Sequence, residues 1–165
     1  MSAKPFTFPI KVLPDDIDFM GHVNNARYLN WVQDTVLAHW QKLAPAEEVA
    51  SKAWVALKHE ITYRRPAFLH DDVIAETVLE KIAGARSFYN TIIRRGEEVL
   101  AEVQSMWCCI DAESLRPGHL VNKVRADEKL SAAIAQSAHG VSIPDFLVEG
   151  LSHVVPPVAG TGNLL

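Results

Sequence analysis

The stretch from Asp15 to Leu43, DDIDFMGHVNNARYLNWVQDTVLAHWQKL, decides how the rest of the chain folds. Its first half gathers Asp15, Asp16, Asp18, His22, Asn24 and Asn25 around Gly21, a residue free to take the positive φ of a tight turn. Its second half carries Leu29, Val32, Val36, Trp40 and Leu43 at intervals of three or four, with Tyr28, Trp31, Thr35 and His39 as a neighbouring stripe. Asn24 or Asn25 is suited to accept the orphan amide hydrogens of a helix start, so the pattern predicts a helix from about Asn25 to Leu43. An apolar arc this wide needs cover on more than one side.

Upstream, Phe6, Phe8, Ile10 and Val12 alternate as one face of a first strand. Pro9 suggests a sheet edge or a bend, and Pro14 ends the segment. Downstream, Ala44 to Lys52, with Pro45 and two glutamates, reads as a connector with room for a short helical turn, closer to a loop than to a core element. Strands are expected at about Trp54 to Arg65, Asp72 to Ile82, Arg86 to Arg95 and Val99 to Ile110, from their β-branched and aromatic content. In the second of these, Val73, Ala75, Thr77, Leu79 and Lys81 fall on one side, and Ile74, Glu76, Val78, Glu80 and Ile82 on the other. Turns at Ala83-Gly84 and Gly96-Glu97 are short enough for hairpins, so the last three strands form an antiparallel meander.

The order is therefore one strand, one long helix and four antiparallel strands, an α+β chain. A helix apolar on two stripes is buried by a strongly curved antiparallel sheet wrapped around it. Val124 to Ser137 reads as a short polar helix with Leu130, Ala133 and Ile134 inward. Beyond Ala138 the composition shifts to Gly, Pro, Ser and Val. The expected division is a domain over residues 1–137 and an extended tail over 138–165.

With 165 residues, 48% of them hydrophobic and 22% charged, the chain has the material for one well-filled core and is not disordered as a whole. The net charge of -4 and a pI near 5.9 argue against nucleic acid as a partner. Cys108 and Cys109 are adjacent and face opposite sides of a strand, so they read as buried reduced thiols of a cytoplasmic protein. Met1 to Pro9 lacks a cationic segment followed by an apolar run, and no apolar stretch reaches the roughly 18 residues that would span a bilayer. His22, His39, His59, His70, His119, His139 and His153 are scattered without metal-ligand spacing, which argues against a metal hydrolase, and no cofactor is expected.

The run D-x-D-x-x-G-H-V-N-N-x-x-Y is carried here by Asp16, Asp18, Gly21, His22, Val23, Asn24, Asn25 and Tyr28. It resembles the signature of hotdog-fold thioesterases of the 4-hydroxybenzoyl-CoA and acyl-CoA thioesterase type. The element order agrees from about Phe6 to Ala135, and Leu115 to Pro117 after the last strand also looks familial. The resemblance implies a curved antiparallel sheet around one long helix, and hydrolysis of an acyl-CoA to a carboxylic acid and free coenzyme A. It implies Asp18 as the catalytic carboxylate, nucleophile or general base, and the Asn25 amide at the helix start as the group that polarises the carbonyl. His22 is the third catalytic candidate, orienting water, stabilising charge or capping the loop. On the substrate-binding side it implies Val23, Asn24, Tyr28 and Arg86, the last at a position similar to the family's site for coenzyme A phosphates. Arg64, Arg65 and Lys81 are weaker members of the same cationic patch. It also implies homodimers whose sheets join edge to edge with the site at the subunit interface, or tetramers built from them.

The chemistry has its own logic. Hydrolysing a thioester needs a carboxylate or its equivalent near the carbonyl carbon and a donor for the developing oxyanion. The first turn of a helix offers free backbone amides backed by the helix dipole. Plainer readings stand beside these. An isolated aspartate is usually a turn former, Asn24 is better suited to holding the turn than to chemistry, and Trp31 and Phe88 read as core. Two other functions fit the same fold: a thioesterase acting on acyl-carrier protein, and a non-catalytic acyl-CoA-binding module. An intact Asp18 argues against the second.

Overall fold

Period-two alternation runs through five segments of the chain, and all five are strands. The computed structural model describes residues 4–118, which contain β1 (Phe6–Lys11), a 3-10 turn (Pro14–Asp16), α1 (Arg27–Leu43), α2 (Ala46–Ser51), β2 (Lys52–Tyr63), β3 (Asp72–Ala83), β4 (Arg86–Arg95) and β5 (Glu98–Asp111). The helix expected over Val124 to Ser137 and the tail expected over 138–165 lie outside the described residues.

The strands form one sheet in the order β1-β3-β4-β5-β2, with every neighbouring pair antiparallel. The meander β3-β4-β5 turns at Gly84 and Gly96, both at positive φ. Pro9 sits on the edge strand β1, where a missing N–H costs no ladder bond. α1 lies across one face and buries Tyr28, Trp31, Val32, Thr35, Val36 and Trp40 against Val73, Ala75, Tyr89, Ile93, Val103 and Trp107. Each fully buried Val or Ile here contributes about 1.5–3 kcal/mol. The buried face of α1 runs between the two predicted stripes, so Leu29 and Leu43 are left half-buried at its margins. This is the hotdog arrangement.

The connector contains the short helical turn that its sequence allows, Ala46–Ser51: Glu47 and Glu48 occupy its first turn, where their charge suits the helix dipole, and Val49 packs on the core. Two elements differ from the sequence pattern, each for a local reason. β2 covers Lys52–Tyr63 and not Trp54 to Arg65, because the amides of Arg64 and Arg65 both turn to the Leu100 carbonyl, at 2.8 and 3.1 Å, just before Pro66. In β3 a bulge between Leu79 and Lys81 shifts the phase. Ile82 is therefore buried and Lys81 exposed, the reverse of strict alternation.

The space between α1 and the sheet also contains polar groups. The Thr77 and Thr91 hydroxyls bond each other at 2.8 Å, and the Thr35 hydroxyl donates to the Trp31 carbonyl one helical turn back at 2.6 Å. His39 extends from α1 between Phe6, stacked at 5.0 Å, and Tyr89, edge-on at 5.9 Å. Burial, helped by the charge of Lys42, pushes its imidazole down to about 4 from the ordinary 6.5. The unfolded chain therefore binds the proton more readily between these values. Stability contributed by neutral His39 is complete above pH 6.5 and is lost as pH falls through that window. With allowance for partial exposure, His39 is expected to account for on the order of 2 kcal/mol of acid destabilisation. Denaturant melts of the wild type and His39→Phe from pH 7 to 4 check this: the variant should show the flatter profile.

Candidate active site

The two aspartates of the D-x-D pair have different surroundings. Asp16 closes the 3-10 turn and is only 5% exposed. Its Oδ2 accepts the Leu13 N–H at 2.8 Å, its Oδ1 lies 3.2 Å from the Arg27 guanidinium, and its carbonyl accepts the Asn24 N–H at 2.7 Å. Arg27 stands in the first turn of α1, where a cation opposes the helix dipole, and the Asp16 carboxylate offsets that. Asp16 thus fastens the polar turn to the helix it feeds.

Asp18 sits at the base of the loop. Its N–H donates to the His22 carbonyl at 2.8 Å, and the bridge between Ile17 and Val23 closes the loop behind it. Its Oδ1 accepts the N–H of Met20 at 2.9 Å and that of His22 at 3.4 Å. Its Oδ2 accepts no hydrogen bond among the described residues. The aspartate therefore forms the turn with one oxygen and leaves the other open. Gly21, at φ +81°, has nothing within 4 Å of where a Cβ would stand, so the turn requires its backbone freedom and not its small size.

The helix starts at Arg27, two residues after the predicted Asn25, because Asn24 builds a turn first. The Asn24 Oδ1 accepts the Ala26 N–H at 2.9 Å, and its carbonyl accepts the Arg27 N–H at 2.9 Å. Asn25 is thus a turn residue ahead of α1, not its first helical residue. Its carbonyl accepts the Tyr63 hydroxyl at 2.7 Å, while its own N–H and side-chain amide have no hydrogen-bond partner among the described residues.

These residues wall an open groove of about 410 Å³. One side is Asp18, His22, Val23, Asn24 and Asn25; the other is Tyr63, Arg64, Arg65 and Pro66. Tyr28, 1% exposed, forms the floor. Its hydroxyl accepts the Ala67 N–H at 3.2 Å, and its ring meets Trp31 at 4.9 Å and the edge of Tyr63 at 5.2 Å. Burial raises the Tyr28 hydroxyl above its ordinary pKa, so it stays protonated at neutral pH. Ala67 in turn accepts the Val23 N–H at 2.9 Å, and Phe68 meets the His22 ring edge-on at 5.5 Å. Arg64 and Arg65 already pair with Glu102 and Glu98. The rim carries exposed apolar side chains, with Phe19 at 97%.

Asp18, His22, Val23, Asn24, Asn25 and Tyr28 thus share one groove. Arg86 does not. It opens β4 opposite Cys108, at the far end of the strand from Arg95, whose guanidinium pairs with Asp71 and Glu98 beside the groove. At ~3.3 Å per residue, the length of β4 sets Arg86 roughly 30 Å along the strand from Arg95. The Arg86 Nε is buried without a partner among the described residues. Lys81 is also outside the groove and lies over the Phe88 ring. Cys108 and Cys109 are buried and free; burial raises both thiols, Cys109 to about 12, so neither is a ready nucleophile. Among the described residues no group of three or more His, Cys, Asp or Glu could hold a metal ion. Sequence reasoning missed Tyr63 as a site residue. Its only local signal is a place three residues before Pro66, which says nothing of a bond reaching back to Asn25.

The model of the thioesterase-like superfamily matches residues 12–151, and the chain belongs to that superfamily. Its reaction class is thioester hydrolysis. The chain is 30% identical over 132 residues to the long-chain acyl-CoA thioesterase FadM of Escherichia coli (strain K12), covering 76% of this chain and 96% of the relative. It is 25% identical over 125 residues to the acyl-CoA thioesterase YbgC of Haemophilus influenzae, covering 73% of this chain and 92% of the relative. Among solved structures it is similar to a probable thioesterase from Bartonella henselae, with a TM-score of 0.63, 25% identity, and coverage of 72% of this chain and 100% of that one.

The contrast between the two aspartates is directly testable. Asp16→Ala should destabilise the fold by about 2 kcal/mol, since it removes a buried charged acceptor and strands Arg27. Asp18→Asn keeps an acceptor oxygen for the Met20 amide and should shift stability by less than about 0.5 kcal/mol. Urea melts of both variants measure the difference.

Proposed function

We propose that the protein hydrolyses an acyl-CoA thioester to a carboxylic acid and free coenzyme A, with Asp18 as the reacting carboxylate and the Asn25 N–H as donor to the carbonyl oxygen. The observation that carries this reading is the pairing of an open Asp18 Oδ2 with an unengaged Asn25 N–H in one groove. Two backbone amides hold Oδ1, so Oδ2 is presented with little freedom to rotate. That oxygen attacks the thioester carbon to give a mixed anhydride that water then hydrolyses, releasing the acid and Asp18, or it takes a proton from a water that attacks the carbon directly. In either attack, negative charge develops on the carbonyl oxygen beside the positive end of α1, where an aimed amide stabilises it most. The sulfur leaves as a thiolate, a far better leaving group than an alkoxide, which eases the demand for a general acid. His22, whose ring nitrogens have no hydrogen-bond partner among the described residues, orients water at the groove edge.

The substrate class is supported by the relatives, both named as acyl-CoA thioesterases. Val23 and Tyr28 supply the apolar wall and floor for the acyl group, and Asn24 holds the turn that shapes them. We assign Arg86 to the phosphates of coenzyme A. Its place outside the groove, at the far end of β4 from Arg95, suits a site shared between subunits, and the protein is proposed to work as a homodimer, alone or paired into a tetramer. β2 supports that assembly: it is 12 residues long and forms the edge of the sheet beyond β5, an open ladder suited to pairing with a second copy. Exposed Phe19, Met20, Tyr63 and Phe68 near the groove add apolar surface for it to cover. The two buried free thiols suit a cytoplasmic location. No helix among the described residues is long and apolar enough to cross a membrane. The working unit on this reading is residues 1–137, with 138–165 as a tail.

Thiol release from short, long and aromatic acyl-CoA esters tests the assignment. Wild type should turn over at least one ester, and Asp18→Asn should lower kcat by about 10²–10⁴-fold while still binding the ester. Binding without turnover on every coenzyme A ester would transfer the assignment to a carrier-protein substrate or a binding module.

A further inference from the structure

Asn25 is pinned from both sides. The peptide plane before it is held by the Arg27 N–H on the Asn24 carbonyl at 2.9 Å. The plane after it is held by two bonds, the Ala26 N–H to the Asn24 Oδ1 at 2.9 Å and the Tyr63 hydroxyl to the Asn25 carbonyl at 2.7 Å. With both planes fixed, the φ and ψ of Asn25 have no slack, and neither has the direction of its N–H. Of these bonds, only the one from Tyr63 reaches the turn from a distant element.

Tyr63 is well placed to act as an anchor. It is the last residue of β2, its backbone is in register with Ala101 of β5, and its ring meets Tyr28 edge-on at 5.2 Å. Its hydroxyl therefore connects the rigid sheet to the turn preceding α1. Two further bonds run between the same segments, from Val23 N–H to the Ala67 carbonyl and from Ala67 N–H to the Tyr28 hydroxyl. Those bonds hold the two ends of the turn, and among the described residues Tyr63 is the one that reaches its middle from the sheet. The bond also has an electrostatic effect. A carbonyl left free in the groove would direct negative charge at a developing oxyanion, and the phenol donor satisfies it.

We infer that Tyr63 is a positioning residue for this hydrolase: its hydroxyl fixes the Asn25 turn so that the Asn25 N–H meets the oxyanion in the transition state. The inference rests on the proposed role of Asn25. It predicts a loss in kcat and not in substrate binding, because the oxyanion exists only in the transition state.

The test is Tyr63→Phe, which keeps the ring and its contact with Tyr28, measured beside wild type and Asp18→Asn on the best acyl-CoA ester. The expected result is a kcat about tenfold lower with KM within about twofold, at a temperature where circular dichroism shows the variant folded. Amide hydrogen exchange, read residue by residue, should be faster at the bonded amides of Ala26 and Arg27 and unchanged at Met20. A lower melting temperature with kcat intact would overturn the inference, since Tyr63 would then only staple the turn. A rise in KM alone would overturn it too, making Tyr63 a ground-state contact. If Asp18→Asn is inactive and Tyr63→Phe matches wild type, the inference fails and the proposed function stands. If wild type hydrolyses no ester, both fail.

Discussion

α1 must be enclosed, and most of the molecule follows from that. Its buried arc takes in Tyr28, Trp31, Val32, Thr35, Val36 and Trp40, too wide a surface to be covered by one flat neighbour. A curved antiparallel sheet covers it, and the chain closes that sheet by sending β2 to the opposite edge from β1. The glycine turns of the meander, the bulge that carries Ile82 inward and the small residues Ala75 and Thr77 on the inner face all serve this packing. The enclosure also keeps His39 neutral among aromatic rings.

The candidate site is the entrance to this enclosed helix. A helix start needs partners for its amides, and a chain entering from β1 needs a tight turn to reach it. The Asp16–Asn24 segment meets both needs. Asp16 secures the turn, Gly21 permits it, and Asn24 converts it into the first helical turn. Fixing the loop at so many points leaves Asp18 with one oxygen committed and one open. The same rigidity that makes the turn a good helix start fixes the open Asp18 oxygen and the Asn25 N–H, and fixed groups are what the proposed hydrolysis requires.

Much of this was legible in the chain itself. The helix, five strands, the meander and the α+β class follow from local periodicity, and β4 has the predicted ends. The polar cluster before α1 marked Asp18, His22, Asn24 and Asn25, which the fold brings into one groove. The errors have local causes. Glu80 in a bulge looks like any other strand residue, so the phase change that buries Ile82 was not visible. Asn24 and Asn25 are equally good caps by type, and only the backbone path makes Asn24 the turn builder and delays the helix to Arg27.

What the sequence determined by itself was local: which segments alternate, which recur every third or fourth residue, and where a polar turn meets an apolar helix. These depend on side-chain spacing along a single chain path. What only the tertiary structure decided was every relation across distance. Tyr63 bonds Asn25 from 38 residues away, Ala67 bonds Tyr28 from 39, and Arg86 stands at the far end of its strand from the groove. Such pairs are set by how strands register and edges meet, and the local pattern around either partner does not encode them.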